Sequence, residues 1–442
     1  YQLHWEQGIN AYWSLALGLN YTYGRGYYQE FNDIWYDQNI GFSGNTSANY
    51  LQLPLTDAVD TENITQKWLD NDFYVANMMA VFEKGKQKFN LGFSYSSYVG
   101  DHFGTLIWAQ NAGGALPNHR FYENKGEKTD TNVFAKLTHA VGRQLTVYAD
   151  AQYRWIDYVA NGMQAGQEPI DVNRNYGFFN PKAGITYSVN SNHQLYFSVA
   201  RAHKEPNRTD FEYGNPLPEE LTDFELGWRH QKSSLHFVAN AYFMDYTNQL
   251  VLTGAIDEVG APIRTNSGSS YRLGVELELS WIMSEEWQWQ SNLSLSENKN
   301  RDFFFERDGE LQALGDTNLS FSPGVIGGSQ LSYSPSKDLT LGLFSKYVGD
   351  QYLGNIDSTL SKLTSYSTQD INIEYTIAPS WCESLQLQLL LNNVLDEEYT
   401  SNGYFYTYDD DWSNPGSITT IEGVGFYPQA GFNFQAGMTI RF

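Results

Sequence analysis

The chain has 442 residues, of which 41% are hydrophobic and 16% aromatic, yet its mean hydropathy is negative at -0.48. Its net charge of -24 would repel a phosphate backbone, so nucleic-acid binding is not expected. No run approaches eighteen apolar residues, which excludes transmembrane helices but leaves transmembrane strands open. The single cysteine, Cys382, cannot form an internal disulfide.

Apolar and polar residues alternate along much of the chain. Runs of this kind, in chain order, are Leu15 to Tyr23, Leu145 to Trp155, Leu195 to Val199, Leu235 to Phe243, Ile371 to Ile377 and Leu385 to Leu391. The last twelve residues, Gly431 to Phe442, keep the pattern without exception. Successive side chains of a strand point to opposite faces, so the chain is predicted to be all-β, with one apolar face on each strand.

The predicted connections alternate between short and long. Short turns are expected near residues 9–11, 84–87, 141–143, 190–193, 232–234, 284–286, 335–338 and 378–384. Long loops are expected near residues 32–72, 110–128, 161–175, 204–217, 254–270, 302–317, 351–362 and 401–422. This asymmetry is typical of a transmembrane up-and-down antiparallel β-barrel, with short periplasmic turns and long extracellular loops.

The strand count predicts an incomplete barrel over residues 1–442. About seventeen strands are expected, whereas bacterial single-chain barrels have even numbers. The first and last strands would run in the same direction, and an open sheet edge is not tolerated in hydrocarbon. We therefore expect several further strands before Tyr1.

Three stretches resemble the barrel of TonB-dependent outer-membrane transporters. Ser198 to Trp228 (SVARAHKEPNRTDFEYGNPLPEELTDFELGW) is similar to that family's FRAP segment, followed by its NPxLxPE segment and a strand with ExG. Leu391 to Tyr399 (LNNVLDEEY) is similar to NNLFDxxY. Gly425 to Phe442 (GFYPQAGFNFQAGMTIRF) resembles the family's terminal strand.

The resemblance implies a bacterial outer-membrane protein with twenty-two strands around an N-terminal plug. Seventeen strands would then be the sixth to the last, and the plug is absent from this chain. Ligand binding would signal through the plug to TonB, which works with ExbB and ExbD. A siderophore-like iron chelate is the first expectation for the cargo, and no resident cofactor or metal is implied.

The residues themselves do not exclude several other functions. Haem, cobalamin or an oligosaccharide could be imported by the same mechanism, and a passive porin-like channel or a soluble surface lectin would also suit parts of the pattern. No nucleophile elbow, phosphate loop or HExxH motif is present, so the chain is predicted not to be an enzyme.

Candidate ligand contacts lie at the predicted loops and are mostly aromatic. They are Tyr27 and Trp35 at the first loop, His102, Trp108 and Arg120 around the second, and Tyr352 and Tyr404 at the late loops. They could form an aromatic vestibule that grips a large, partly apolar ligand. The alternative is the interfacial aromatic girdle of any such barrel.

The densest basic cluster is the second candidate. Arg201, His203 and Arg208 could pair with carboxylate or catecholate groups of an iron chelate. Alternatively, they pair with nearby carboxylates such as Asp210.

Two further hypotheses concern metal binding, one of haem iron and one of calcium. Family haem receptors carry a histidine between the two segments at a position equivalent to residues 206–215, and this chain has none there. His102 and His119 remain as axial-ligand candidates. Asp409 to Asp411 lack the spaced ligands of a calcium loop, which favours a solvated loop tip.

Overall fold

The computed structural model describes residues 1–33, 47–54, 60–256 and 262–442. Its helical segments are short: Ser47–Tyr50, Arg208–Glu212 and a 3-10 turn at Thr359–Ser361. Within these described ranges, no helix is long and apolar enough to cross a membrane.

The chain divides into two compact units. The first comprises residues 1–139 and 149–181, and the second comprises residues 140–148 and 182–442. Strands that begin in the first unit are β1 (Gln2–Gly8), β2 (Trp13–Asn32), β3 (Asn63–Lys84), β4 (Gln87–Ala109), β5 (His119–Val141) and β7 (Pro169–Ser188), while β6 (Leu145–Met163) enters it at residue 149. In this unit β1 to β5 pair antiparallel in chain order.

The second unit contains the remaining strands. They are β8 (His193–Lys204), β9 (Glu219–Lys232), β10 (Leu235–Thr247), β11 (Leu250–Ile256), β12 (Pro262–Asn266), β13 (Ser269–Ile282), β14 (Trp287–Arg307), β15 (Glu310–Asn318), β16 (Val325–Ser336), β17 (Leu339–Val348), β18 (Gln351–Tyr352), β19 (Lys362–Leu363), β20 (Tyr366–Ile377), β21 (Ser384–Asn392), β22 (Thr400–Asp410), β23 (Thr419–Pro428) and β24 (Asn433–Arg441). Its wall strands also pair with their neighbours in chain order, ending with β21 against β24.

The strand count agrees with the prediction. Apart from three small hairpins, β11–β12, β18–β19 and β22–β23, the described residues form eighteen sheet strands. Both β15 and β16 pair with β14, β15 along its upper part and β16 along its lower part. The eighteen strands therefore occupy seventeen positions. All eight predicted short turns are confirmed, for example the two residues between β3 and β4.

Several predicted long loops are wrong in their extent. Residues 119–128 and 63–72 are strand, and residues 401–410 form one arm of the β22–β23 hairpin. Strands β2 to β7 have 19 to 23 residues, about twice what a membrane crossing needs. Beyond the membrane both strand faces meet water, so the period-two hydrophobic signal fades although backbone pairing continues.

The register gives the strands one apolar face and one polar face. On β2 the apolar face carries Leu15 to Tyr23 in alternation, and Leu19 lies opposite Ala76 of β3. In the second unit Phe197 of β8 lies opposite Leu226 of β9, and both are exposed. A soluble sandwich would bury this face. The exposed apolar face therefore fits a wall against lipid and does not fit a soluble sandwich.

Two clusters of buried apolar residues lie where loops pack on the strands. In the first unit Leu51 and Tyr50 pack on Leu106 and Phe121. In the second, Leu353, Leu363 and Phe405 form a separate cluster. These small cores hold the long connections in fixed positions on the strands.

Candidate functional site

A row of aromatic rings crosses the upper part of the first unit. Tyr27 lies 4.4 Å from Trp68, and Trp68 is stacked 5.9 Å from Phe103, measured between ring centroids. Two guanidinium groups cover the row, Arg25 at 5.1 Å from the ring centroid of Trp68 and Arg120 at 4.1 Å from that of Phe103. Both distances are within the range of cation–π attraction.

This row continues the apolar face. Tyr27 shares its strand parity with Leu19 and Tyr21, and Trp68 and Phe103 are its partners in register. Trp108 lies opposite Ile64 on the same side of β3. The structure thus places Tyr27, Trp108 and Arg120 on the side of the girdle.

His102 lies on the opposite, polar face of β4. It lines a concavity of about 600 Å³ together with Tyr28, Lys67, Asn71 and Tyr122. The Lys67 ammonium lies 3.2 Å from the Glu30 carboxylate and 5.5 Å from the ring centroid of Tyr28. The polar face here offers hydrogen-bonding groups, aromatic surface and a paired cation.

Two further candidates from the first part of the chain are Trp35 and His119. Trp35 lies outside the described residues. The His119 ring nitrogen Nε2 is 3.0 Å from the carbonyl oxygen of Leu51, within the loop core. This contact ties His119 to the loop structure.

The predicted basic cluster does not converge on one point. Arg201 and His203 both contact Glu220, at 2.5 Å and 3.3 Å. They continue the parity of Phe197, so they extend the apolar face of β8. Arg208 lies in the short helix Arg208–Glu212, where it pairs with Glu212 at 2.6 Å.

That helix is fastened to the β11–β12 hairpin. Asn207 is the N-cap residue of the helix, and the backbone amide of Asn207 donates to the Asp210 carboxylate at 2.7 Å. The buried Asp210 also accepts two hydrogen bonds from Arg264 of β12. The predicted basic residues therefore pair with Glu220 and Glu212, whereas Asp210, the partner suggested by the sequence, pairs instead with Arg264.

The polar face of the second unit carries residues that sequence reasoning missed. A concavity of about 720 Å³ is lined by Gln290, Asn292, Gln330, Lys346 and Asp370, among others. Asp370 directly precedes the alternating run of β20 that was recognised in the sequence, whereas the other four lie on β14, β16 and β17, whose alternation was not recognised. The polar parity of the same strands was the signal that could have identified them.

Three loops are layered on the polar face of β14. The Asn300 side chain, buried on that face, donates to Asn355 Oδ1 at 3.3 Å, and Asn355 in turn donates to the carbonyl of Leu252 in β11. A Cβ on Gly254 would lie 2.7 Å from the carbonyl oxygen of Phe405, so β22 packs directly against β11. The β22–β23 hairpin also contacts the end of β14, where Arg307 donates to Glu422.

Tyr352 and Tyr404 both belong to this layered region. The carbonyl of Tyr352 accepts from the Phe321 amide at 2.8 Å, and its side chain is half-buried. Tyr404 lies on the face of β22 opposite Phe405 and is followed by Tyr406 and Tyr408 on that face. Tyr404 therefore points away from the cluster of Phe405, Leu353 and Leu363.

The acidic tip of the hairpin is organised by its own backbone. Asp410 accepts from the amides of Ser413 at 2.9 Å and Trp412 at 3.2 Å. The Ser413 backbone bond is the main reason that the pKa of Asp410 is below its ordinary value. Asp409 points to the other face and accepts from Thr420.

Comparison with known proteins identifies the family. Residues 1–394 match the model of the family described as TonB dependent receptor-like, beta-barrel. The chain belongs to this family. No curated protein compared with the chain matches it.

Solved structures with the same fold are distant in sequence. The ferric-catecholate import receptor Fiu from E. coli K12 is 14% identical with a TM-score of 0.66, over 100% of this chain and 63% of Fiu. The copper transporter OprC is 13% identical with a TM-score of 0.70, over 100% and 64%. The siderophore receptor PiuA from Acinetobacter baumannii is 16% identical with a TM-score of 0.64, over 99% and 64%. The chain spans less than two thirds of the length of each.

Family membership assigns the two faces of the strands. A TonB-dependent receptor barrel lies in the bacterial outer membrane, so the apolar face is the lipid-facing side and the polar face is the inner side. The family consists of receptors, which confirms the prediction that the chain is not an enzyme.

Proposed function

We propose that this chain forms wall and loops of an outer-membrane transporter that imports a scarce ligand with energy delivered through TonB. A ferric siderophore or a related iron chelate is the first choice of cargo. Fiu and PiuA, whose fold this chain shares, are described as a ferric-catecholate import receptor and a siderophore receptor.

The family match over residues 1–394 is the observation that carries the proposal. The alternation of short turns with long, folded connections supports it, because the long connections are where a receptor meets its ligand. Layers of loop on the polar face of β14 narrow the space that a ligand would enter.

The proposed ligand contacts are those on the polar face or on the inner loops. They comprise His102 in the first unit and Tyr352 and Tyr404 in the second. Tyr27, Trp108, Arg120, Arg201 and His203 are on the apolar parity, and we assign them to the outer belt above the membrane. Arg208 holds the loop helix through Glu212.

Growth of a deletion strain tests the cargo. The strain is supplied with single iron sources, namely ferric catecholates, ferric citrate and haem, and separately with cobalamin. Lost growth on a catecholate complex, restored by the full-length gene, is the expected result. Unchanged growth on every iron chelate would exclude an iron chelate as the cargo.

A further inference from the structure

Four aromatic rings form a continuous row on the β22–β23 hairpin. Tyr404, Tyr406, Tyr408 and Trp412, called the tyrosine strip below, have successive centroid distances of 6.3, 6.3 and 5.9 Å. The angles between neighbouring ring planes are only 15°, 18° and 7°. Nearly parallel planes give the strip one common orientation along the strand.

Glycines of the neighbouring strand seat two of these rings. Tyr404 lies opposite Gly425, and Tyr406 lies opposite Gly423. A Cβ on either glycine would come within 2.3 Å of the tyrosine ring. The two rings therefore lie across β23 against bare backbone. Tyr406 is exposed, whereas Tyr404 is half-buried, with the Tyr427 ring centroid 6.0 Å away.

The opposite face of the hairpin fixes the strip in place. Phe405 is buried against Leu353 and Leu363. Glu422 pairs with Arg307 at 2.5 Å. Phe405 and Glu422 therefore anchor one face of the hairpin to the loop core and to the end of β14, and the tyrosine strip lies on the other face.

Three of the four rings of the strip are exposed to solvent. Tyr406, Tyr408 and Trp412 keep 42%, 44% and 64% of their surface exposed. The hairpin is a loop element and not part of the lipid-facing wall. An interfacial aromatic girdle therefore does not account for its three neighbouring exposed rings. An open, pre-ordered aromatic row is a stacking platform for a ligand with repeated flat faces.

Charge narrows the class of ligand. Asp410 shares the strip's parity, and Asp411 follows it in a chain of net charge -24. Acidic side chains beside the rings repel nucleic acids and other polyanions. Pyranose rings present C–H faces to aromatic rings and hydroxyls to carboxylates, so an uncharged sugar chain satisfies both features.

We propose that the tyrosine strip binds a neutral oligosaccharide, laid along β22 with successive sugar rings on successive aromatic rings. The proposed sugar is a different molecule from the proposed cargo; Tyr404 is assigned to both, so the tests use Tyr406 and Trp412, which are not proposed cargo contacts. A straight row of near-parallel rings suits a ribbon-like, β-1,4-linked chain best.

Calorimetry with the purified full-length protein in detergent tests the proposal. The probes are cellohexaose, maltohexaose, a hexamer of galacturonate and a decaproline peptide. Binding of a neutral hexasaccharide, with cellohexaose preferred, is expected. Tyr406→Ala and Trp412→Ala should each weaken it about tenfold, the loss of one stacked ring.

Two further variants separate stacking from folding. Gly423→Ala retains every ring but lifts Tyr406 from its seat, and it should weaken sugar binding like Tyr406→Ala. Trp381→Ala removes an equally exposed ring from the turn between β20 and β21, and it should leave binding unchanged. Thermal melting checks that each variant is folded.

Several outcomes would overturn the proposal. They are no binding of either neutral hexasaccharide at millimolar concentration, equal binding by the strip variants and the wild type, or preferred binding of the galacturonate hexamer or of decaproline. Iron-dependent growth is scored independently, so failure of the sugar site and failure of the import proposal are distinguishable.

Discussion

Arg264 of β12 grips both carboxylate oxygens of Asp210, with Nε 3.0 Å from Oδ1 and Nη2 2.7 Å from Oδ2. The Asp210 side chain is only 1% exposed. The pair joins the helix Arg208–Glu212 to the β11–β12 hairpin, two elements that are 54 residues apart in sequence. It fixes the position of the loop that carries Arg208, one of the ligand contacts predicted from the sequence.

The first prediction concerns this buried pair. Arg264→Met leaves the Asp210 carboxylate buried without its partner, which typically costs about 3–5 kcal/mol. We expect the free energy of local opening of residues 205–218 to fall by that order. Hydrogen exchange followed by mass spectrometry measures it directly.

A matched control is available in the same unit. Arg301 pairs with Asp245 at 2.7 Å, but the two side chains are 34% and 44% exposed. Arg301→Met should change local stability by less than about 1 kcal/mol, because solvent screens the pair. Equal effects of the two substitutions would show that the burial of Asp210 is irrelevant.

The second prediction concerns ring packing over glycine on the polar face. A Cβ on Gly227 would lie 2.0 Å from the Tyr196 ring, which is held by a 2.9 Å hydrogen bond from its hydroxyl to Asn240. Gly227→Ala should therefore destabilise the protein by about 1–3 kcal/mol through overpacking. Unfolding in guanidinium, followed by tryptophan fluorescence, gives the change.

Gly26→Ala is the control for that experiment. A Cβ on Gly26 meets nothing within 4 Å, so the substitution should be neutral or slightly stabilising. If Gly227→Ala were as well tolerated as Gly26→Ala, the Tyr196 ring would not occupy the position described.

The third prediction follows from the placement of Arg201. Because Arg201 extends the apolar face and pairs with Glu220, Arg201→Gln should change the affinity for the imported ligand by less than about twofold. Ligand binding to whole cells, measured over a concentration series, provides the test. A tenfold loss of affinity would show that Arg201 contacts the imported ligand.

The lipid-facing parity was predictable, whereas the assignment of site residues to faces was not. Leu19 and Tyr21 reveal their common face in the sequence because lipid demands an unbroken apolar set on one parity. Arg201 and His203 continue the alternation of Phe197 and so share its apolar parity, whereas Arg208, a few residues further along, falls in a helix. Sequence proximity alone cannot distinguish these environments.

The long loops show the same limit. Tyr404, Tyr406 and Tyr408 alternate as strand residues do, yet they fall in a stretch predicted to be a loop. The sequence signal for this strand was the alternation of aromatic residues, which had no alternating aliphatic residues beside it. The glycines opposite them, Gly423 and Gly425, gain meaning only once the register is known.

The fourth prediction is a dependence on pH. Burial opposes ionisation of Glu422, but hydrogen bonds from Ser358 and Arg307 outweigh it, so the pKa of Glu422 lies below its ordinary value. A depressed folded-state pKa contributes stability above the unfolded value, about 4.3 for glutamate, and that contribution is lost as the pH falls through the folded value.

The β22–β23 hairpin should therefore open more readily as the pH falls below about 4.3. Hydrogen exchange of residues 400–428, corrected for intrinsic rates, measures the opening. Glu422→Gln should be less protected at neutral pH and should lose this acid dependence. The same acid dependence in wild type and variant would assign it to another group.

The central claim is that this chain belongs to a transporter driven by TonB. The most direct test is uptake of a radiolabelled ferric catecholate by cells producing the full-length protein, with and without a functional TonB. We predict accumulation above the external concentration only when both proteins are present. Equal uptake in cells lacking TonB would contradict the account and indicate a passive channel.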